Sequence, residues 1–207
     1  MKITGFEKLR RATSWIISVL AIGLILVSEP PDGRRLFYET LKLTGYGLIV
    51  LATLGRIWCA VYIGGRKDQE LTIDGPYSIC RNPLYVFSFL GVIGVLFSAK
   101  NLPLLLIIIP VFWGYYFFVI TSEEGRLKEL FGKEFNNYAR NVNRLVPRLQ
   151  SYWTRSKIEV NPKIIFHAML DAMWFMWAFM GLEVVEYLKT PGLHAKSIIP
   201  VLWKLPF

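Results

Sequence analysis

Five apolar runs separated by charged segments constrain this 207-residue chain more than any other feature. They cover about 12–27, 41–63, 84–98, 102–120 and 164–188, and the last is interrupted by Asp171, Glu183 and Glu186. A helix of about 20 apolar residues matches the hydrocarbon thickness of a bilayer, about 30 Å. Inside that layer no water satisfies the backbone, so a spanning segment that is not part of a closed barrel must be helical. With 54% hydrophobic residues and a mean hydropathy of +0.40, the chain is more apolar than soluble domains of this length. The expectation is one all-α domain over 1–207: a polytopic membrane protein of about five transmembrane helices with a cytoplasmic helical cap. The first run is short and needs flanking residues to span. No small-residue cleavage site follows it, and Glu29-Pro30-Pro31-Asp32-Gly33 reads as an external turn, so it is taken as a mature helix. Lys100-Asn101 followed by Pro103 makes the third and fourth runs a tight antiparallel hairpin.

Charge sets the orientation. Placing the N-terminus inside puts 16 of the 24 Lys and Arg on the cytoplasmic side and 7 outside, with Arg56 within the second run. Segments 64–83 and 121–149 then both lie in the cytoplasm. The net charge of +9 concentrates beside the membrane, where anionic lipid is the expected counterpart. A nucleic-acid partner is not expected. Cys59 and Cys80 have neither CxxC spacing nor further partners and read as reduced structural thiols.

Chemistry concentrates in two polar segments. The first is Gly75-Pro76-Tyr77-Ser78-Ile79-Cys80-Arg81-Asn82-Pro83-Leu84-Tyr85. Gly75-Pro76 favours a turn. Pro83 suits the first position of a helix, which makes Asn82 a candidate N-cap. The same loop gathers donors and aromatic faces, so Arg81, Asn82 and Tyr85 are candidates to converge on a small molecule. The second segment is Glu123-Glu124-Gly125-Arg126-Leu127, followed by Phe131-Gly132 and Tyr138. Carboxylates at the C-terminal end of a spanning helix oppose its dipole. They are therefore either simply solvated there or turned inward toward a cation. Leu127, Leu130, Phe131, Phe135 and Tyr138 repeat at helical spacing and predict an amphipathic cap under the bundle. Arg56 is a charge within an apolar run. It either snorkels along its stem to the interface or faces the bundle interior. His167 and Asp171 stand one turn apart and read as a local hydrogen-bonded pair. Neither a metal-ligand set, a phosphate-binding glycine loop nor a nucleophile elbow is present, and no metal is expected.

In this order the two segments resemble the isoprenylcysteine carboxyl methyltransferase and phospholipid methyltransferase family of integral membrane enzymes. The resemblance rests on Gly75, Tyr77, Arg81, Pro83 and Tyr85, on the Glu123-Glu124-x-x-Leu127 signature, and on Phe131-Gly132 with Tyr138. It implies S-adenosylmethionine as cofactor and S-adenosylhomocysteine as product. By that resemblance Gln69, Leu71, Thr72, Gly75, Tyr77, Asn82, Pro83, Leu84, Tyr85 and Tyr138 hold the cofactor, while Arg81, Glu123, Glu124 and Arg56 are the catalytic candidates. Asn82 stands where many members carry His, so no titrating base is expected there. Val119 stands where some prenylcysteine enzymes carry a substrate-holding Arg. The reaction implied is methyl transfer to a lipophilic acceptor, resembling carboxyl methylation of an isoprenylcysteine. Methylation of an amine lipid or a small thiol is the alternative, and a non-enzymatic scaffold or transporter the outsider. The bilayer and the acceptor are the expected partners, and a bacterial cytoplasmic membrane the expected location.

Overall fold

A computed structural model of the chain describes residues 23–25, 28–29, 33–66, 68–158, 160–189 and 203–205. The expected first helix over 12–27 lies almost wholly outside them. The described fold is all-α. Helix α1 spans Arg35–Ile63, α2 Pro76–Ile79, α3 Pro83–Ser98, α4 Leu102–Asn141, α5 Pro162–Ala172 and α6 Trp174–Lys189. One 3-10 turn, Leu149–Ser151, lies between α4 and α5. Two short strands, β1 (Ser28–Glu29) and β2 (Trp203–Lys204), pair in parallel. The spans Arg35–Ile63, Leu102–Asn141 and Pro162–Lys189 are each long and apolar enough to cross a membrane, and α3 is a shorter apolar helix.

Helix α1 starts six residues earlier than expected and stops at Gly64-Gly65, where Gly65 takes φ +86°. It packs along α3 through small residues. A Cβ placed on Gly45 would lie 2.6 Å from the Gly94 carbonyl oxygen, and one on Gly94 2.8 Å from that of Gly45. Such backbone contact is how membrane helices associate when water exclusion supplies no drive. Asn101 caps α4 by accepting the Leu104 N–H at 3.0 Å, which closes the expected hairpin.

Two expectations need correction. The cap is not separate from the fourth helix: α4 continues without interruption from Leu102 to Phe131, about 45 Å at 1.5 Å per residue and so longer than the hydrocarbon thickness, before Gly132 breaks it. Its second half therefore projects beyond the bundle. It bends at Gly132 (φ +48°, ψ −112°), which turns Phe135 and Tyr138 onto Leu71 to form a small buried cluster. The fifth run is helical over Pro162–Lys189 with a single turn residue at Met173, whose N–H still bonds Met169 O and whose carbonyl still accepts from Trp177. Next to that turn the Phe175 ring packs so closely on Gly91 that a Cβ there would come within 2.6 Å of it. Two of the acids that interrupt this run, Glu183 and Glu186, have partners. Lys42 lies 2.8 Å from Glu183 and 2.6 Å from Glu186, and Lys100 bridges Glu39 and Glu186. This ionic clamp fastens α6 at the end of the bundle away from segment 64–83. His167 does not bond Asp171; its Nδ1 lies 2.7 Å from the Lys163 carbonyl.

Candidate functional site

The two polar segments meet at the end of the bundle where α1 stops and α3 starts. They enclose a cleft that is partly open to solvent. Loop 64–83 supplies Leu71, Thr72, Tyr77, Arg81 and Asn82, and α3 supplies Leu84 and Tyr85. From α4 come Glu123 and Tyr138. Ile63, Asp68 and Arg126, which the sequence reading did not single out, also line it, together with Glu70 of segment 69–72 and Leu127 of the acidic signature. Arg126 lay within that signature, and Asp68 precedes Gln69, so proximity in sequence was the only signal for them.

The loop's shape follows from a few residues. Gly75 takes φ +59°, and a Cβ there would lie 2.2 Å from the Tyr62 ring, so only glycine fits. Pro76 and Pro83 open short turns into α2 and α3. Tyr138 donates its hydroxyl to the Tyr77 carbonyl at 2.7 Å, tying the cap to the loop. Burial raises the Tyr77 and Tyr138 phenols well above their ordinary range and pushes the Cys80 thiol up to about 11. All three stay neutral near pH 7.

The two glutamates diverge. Glu123 lines the cleft, and its Oε2 accepts the Tyr85 hydroxyl at 2.6 Å. Glu124 does not line it. Its Oε1 accepts from Asn82 Nδ2 at 3.0 Å and lies 3.3 Å from Arg81 Nε, while its Oε2 lies 3.1 Å from Arg144 Nε. Asn82 occupies the N-cap position of α3 but makes no side-chain cap; its amide serves Glu124 and the Arg144 carbonyl instead. The capping expectation is therefore corrected: Asn82 stands at the cap position, but its amide is oriented by its NH2, held by Glu124 and the Arg144 carbonyl, and its oxygen receives no helix N–H.

Gln69, Gly75, Pro83, Glu124 and Arg56 do not line the cleft. Gln69 is exposed, and Gly75 and Pro83 are buried parts of the frame. Arg56 neither snorkels nor pairs with a glutamate: it donates to Ser88 Oγ and sits 5.8 Å from the Phe175 ring centre, inside the bundle.

A strap, residues 142–158, underlies the loop. Trp153 O accepts from Gly75 N at 2.8 Å, Arg148 N donates to Ile79 O at 2.8 Å, and Arg81 N donates to Asn143 O at 2.8 Å. Asp74, fully buried, lies 3.5 Å from Arg66 and 3.4 Å from Arg155 of the strap; Arg155 also pairs with Glu70.

A helical bundle with spans long and apolar enough to cross a membrane thus closes a polar, aromatic and acidic cleft at one end. Comparison with known proteins gives the class. The family model for phospholipid methyltransferase matches residues 41–134. The chain is 35% identical to the nickel-cobalt-cadmium resistance protein NccN of Alcaligenes xylosoxydans xylosoxydans, over 92% of this chain and 86% of that one. It is 39% identical to the cobalt-zinc-cadmium resistance protein CzcN of Cupriavidus metallidurans, over 66% of this chain and 61% of that one. It is 32% identical to the protein-S-isoprenylcysteine O-methyltransferase of Schizosaccharomyces pombe, over 39% of this chain and 34% of that one. No solved structure matches it significantly. The chain belongs to the isoprenylcysteine carboxyl methyltransferase and phospholipid methyltransferase family of membrane proteins.

Proposed function

We propose that the protein is an S-adenosylmethionine-dependent methyltransferase acting on a lipophilic acceptor, its cleft facing the cytoplasm across a bacterial cytoplasmic membrane. The observation that carries this reading is the meeting of Tyr77, Arg81, Asn82 and Tyr85 with Glu123 and Tyr138 in one cleft. The donor set fits the cofactor. Glu123 offers negative charge to a sulfonium or an ammonium, while Asp68, Glu70, Arg81 and Arg126 line the wall in ion pairs, Asp68 with Arg126, Glu70 with Arg155 and Arg81 with Glu124, that a ligand's ammonium and carboxylate would share. Thr72, which lines the cleft, has a buried hydroxyl without a hydrogen-bond partner; a polar ligand atom would satisfy it. Leu71, Leu84 and Leu127 give apolar contact. When bound, the cofactor supplies a methyl group on a sulfonium, a leaving group that needs no acid.

The chain's task is then positioning, which accounts for most of the acceleration in such a displacement. Tyr85 fixes the Glu123 carboxylate. The acceptor enters from the bilayer with its head toward Glu123 and Arg81. Arg81 and Arg126 favour a carboxylate head, hence methyl-ester formation. A second reading, N-methylation of an amine lipid, is favoured by the acidic lining and by Val119 in place of an arginine. The names of the two bacterial relatives support a role for the product in tolerance of nickel, cobalt or cadmium.

The test starts with calorimetry of S-adenosylmethionine binding to the detergent-purified protein. Micromolar binding, weakened at least about tenfold in a Glu123→Gln, Tyr85→Phe double variant that folds normally, supports the reading. Absence of binding to the folded wild type sinks it. Label transfer to a lipid extract then separates the chemistries, since methyl esters release methanol in base and N-methyl groups do not.

A further inference from the structure

The strap carries an unusual surface for a segment so closely wired to a site. Val146 is 69% exposed, Leu149 76%, Tyr152 48% and Trp153 46%. Between and beside them stand Arg148 and Lys157, both exposed, and among the described residues neither makes an ion pair. In water this apolar patch is unfavourable. Its depth says what covers it. The Tyr152 ring is 6.1 Å from the ring of Trp58, which lies five residues inside the end of α1, and Ile158 packs on the cluster of Cys59, Tyr62 and Tyr77. The strap begins where α4 ends and stops just before α5 begins. It therefore lies level with the last turns of spanning helices, where aromatic rings and basic side chains meet headgroups.

We propose that residues 146–157 form an interfacial anchor that binds anionic phospholipid headgroups, and that this binding orders the cleft's loop. The apolar and aromatic side chains enter the upper acyl layer, and Arg148 and Lys157 meet lipid phosphates. The ordering runs through the backbone: Trp153 O holds Gly75 N, Trp153 N holds Ser78 Oγ, and Arg148 N holds Ile79 O. Mobility of the strap would loosen the Gly75 turn and the Arg81 segment together. The inference needs the membrane placement but not methyl transfer.

The full chain is reconstituted into lipid nanodiscs of pure phosphatidylcholine, or of the same lipid with about 30% phosphatidylglycerol, and amide hydrogen exchange is followed by peptide. Exchange over 75–81 and 146–157 should slow about fivefold or more with phosphatidylglycerol at low salt, on the scale expected for one or two basic side chains at a charged surface. The slowing should vanish at 1 M salt. Arg148→Gln, Lys157→Gln should abolish it, while Lys128→Gln, Lys133→Gln, removing equal charge from α4, should keep it. Equal exchange in both lipids overturns the proposal. So does equal loss in the α4 control, which would reduce the effect to net charge. Protection by inorganic phosphate in phosphatidylcholine discs would overturn the lipid assignment. Because the readout is exchange, failure here leaves the methyltransferase reading standing, and failure of cofactor binding leaves this one.

Discussion

Glu124→Gln should loosen the site's frame far more than Glu123→Gln, although the residues are neighbours. The side chain of Glu124 is 16% exposed, against 15% for Arg81 and 31% for Arg144. Two guanidiniums and an amide share its two oxygens. The substitution removes the charge and turns an NH2 toward one guanidinium, so donor faces donor. A charge-assisted hydrogen bond contributes about 1.5–3 kcal/mol, and the Arg144 contact, nearer the surface, contributes about 1 kcal/mol or less. The expected loss is about 2–4 kcal/mol, which in local opening means roughly 30- to 1,000-fold faster exchange. Glu123→Gln keeps an oxygen for the Tyr85 hydroxyl and should cost under about 1 kcal/mol, less than about fivefold. The assay is hydrogen exchange of peptides covering 75–85 and 140–148 in detergent micelles, with the melting temperature as a second readout. Exchange in Glu124→Gln within fivefold of wild type would refute the assignment of Glu124 to the frame. Equal effects of the two variants would refute the division between them.

Three further outcomes follow from the geometry. Gly45→Ala drives a Cβ to 2.6 Å from the Gly94 carbonyl oxygen, where backbone cannot yield; about 1–3 kcal/mol of stability should be lost. Gly47→Ala meets nothing within 4 Å and should be neutral or slightly stabilising. Melting curves of both in one detergent check the contrast. Cys80 titrates near 11 when folded and near 8.5 when exposed, so the unfolded chain gives up its proton first. Stability is therefore intact below about pH 8 and falls as the pH rises toward 11, with Tyr77 and Tyr138 adding loss in the same direction above about pH 10. The fall should be shallower in Cys80→Ala, read from melting temperature against pH. Arg56→Met should leave S-adenosylmethionine affinity within about threefold, because Arg56 lies outside the cleft and the Ser88 hydroxyl keeps its bond to the Leu84 carbonyl; calorimetry decides, and loss of binding would mean the cleft extends deeper than drawn.

Much of this was legible in the sequence because membrane helices are written locally. A run such as 84–98 needs no partner to declare itself, and α3 begins one residue earlier, at Pro83. The cleft's central residues were legible for a different reason: Tyr77, Arg81, Asn82, Tyr85, Glu123 and Tyr138 sit in two compact signatures. What could not be read was tertiary. The division of labour between Glu123 and Glu124 depends on where α4 faces, and Asp74 looks like any turn aspartate until Arg66 and Arg155 enclose it. The strap has no periodicity, so nothing in the pattern marks residues such as Trp153 and Arg155. Its structure comes from backbone groups bonding a loop some 70 residues earlier. Arg56 shows the limit of hydropathy, which registers the charge but not whether it turns to the interface or to Ser88.

The paired glutamates follow from helix geometry. Consecutive positions on an α-helix point about 100° apart. At the mouth of a bundle one position can face a cleft while the next faces the structure that walls it. Glu123 takes the first place and bonds Tyr85; Glu124 takes the second and gathers Arg81, Asn82 and Arg144. Loop, helix and strap are thus joined at one carboxylate, a side chain away from the group placed to meet a ligand. Any force that shifts the strap acts on Arg144 and, through Glu124, on Arg81 at the cleft wall. Headgroup binding at the strap and ligand binding in the cleft would then stabilise the same arrangement. Linkage requires the effect to be reciprocal: whatever anionic lipid does for ligand affinity, the ligand does equally for lipid affinity.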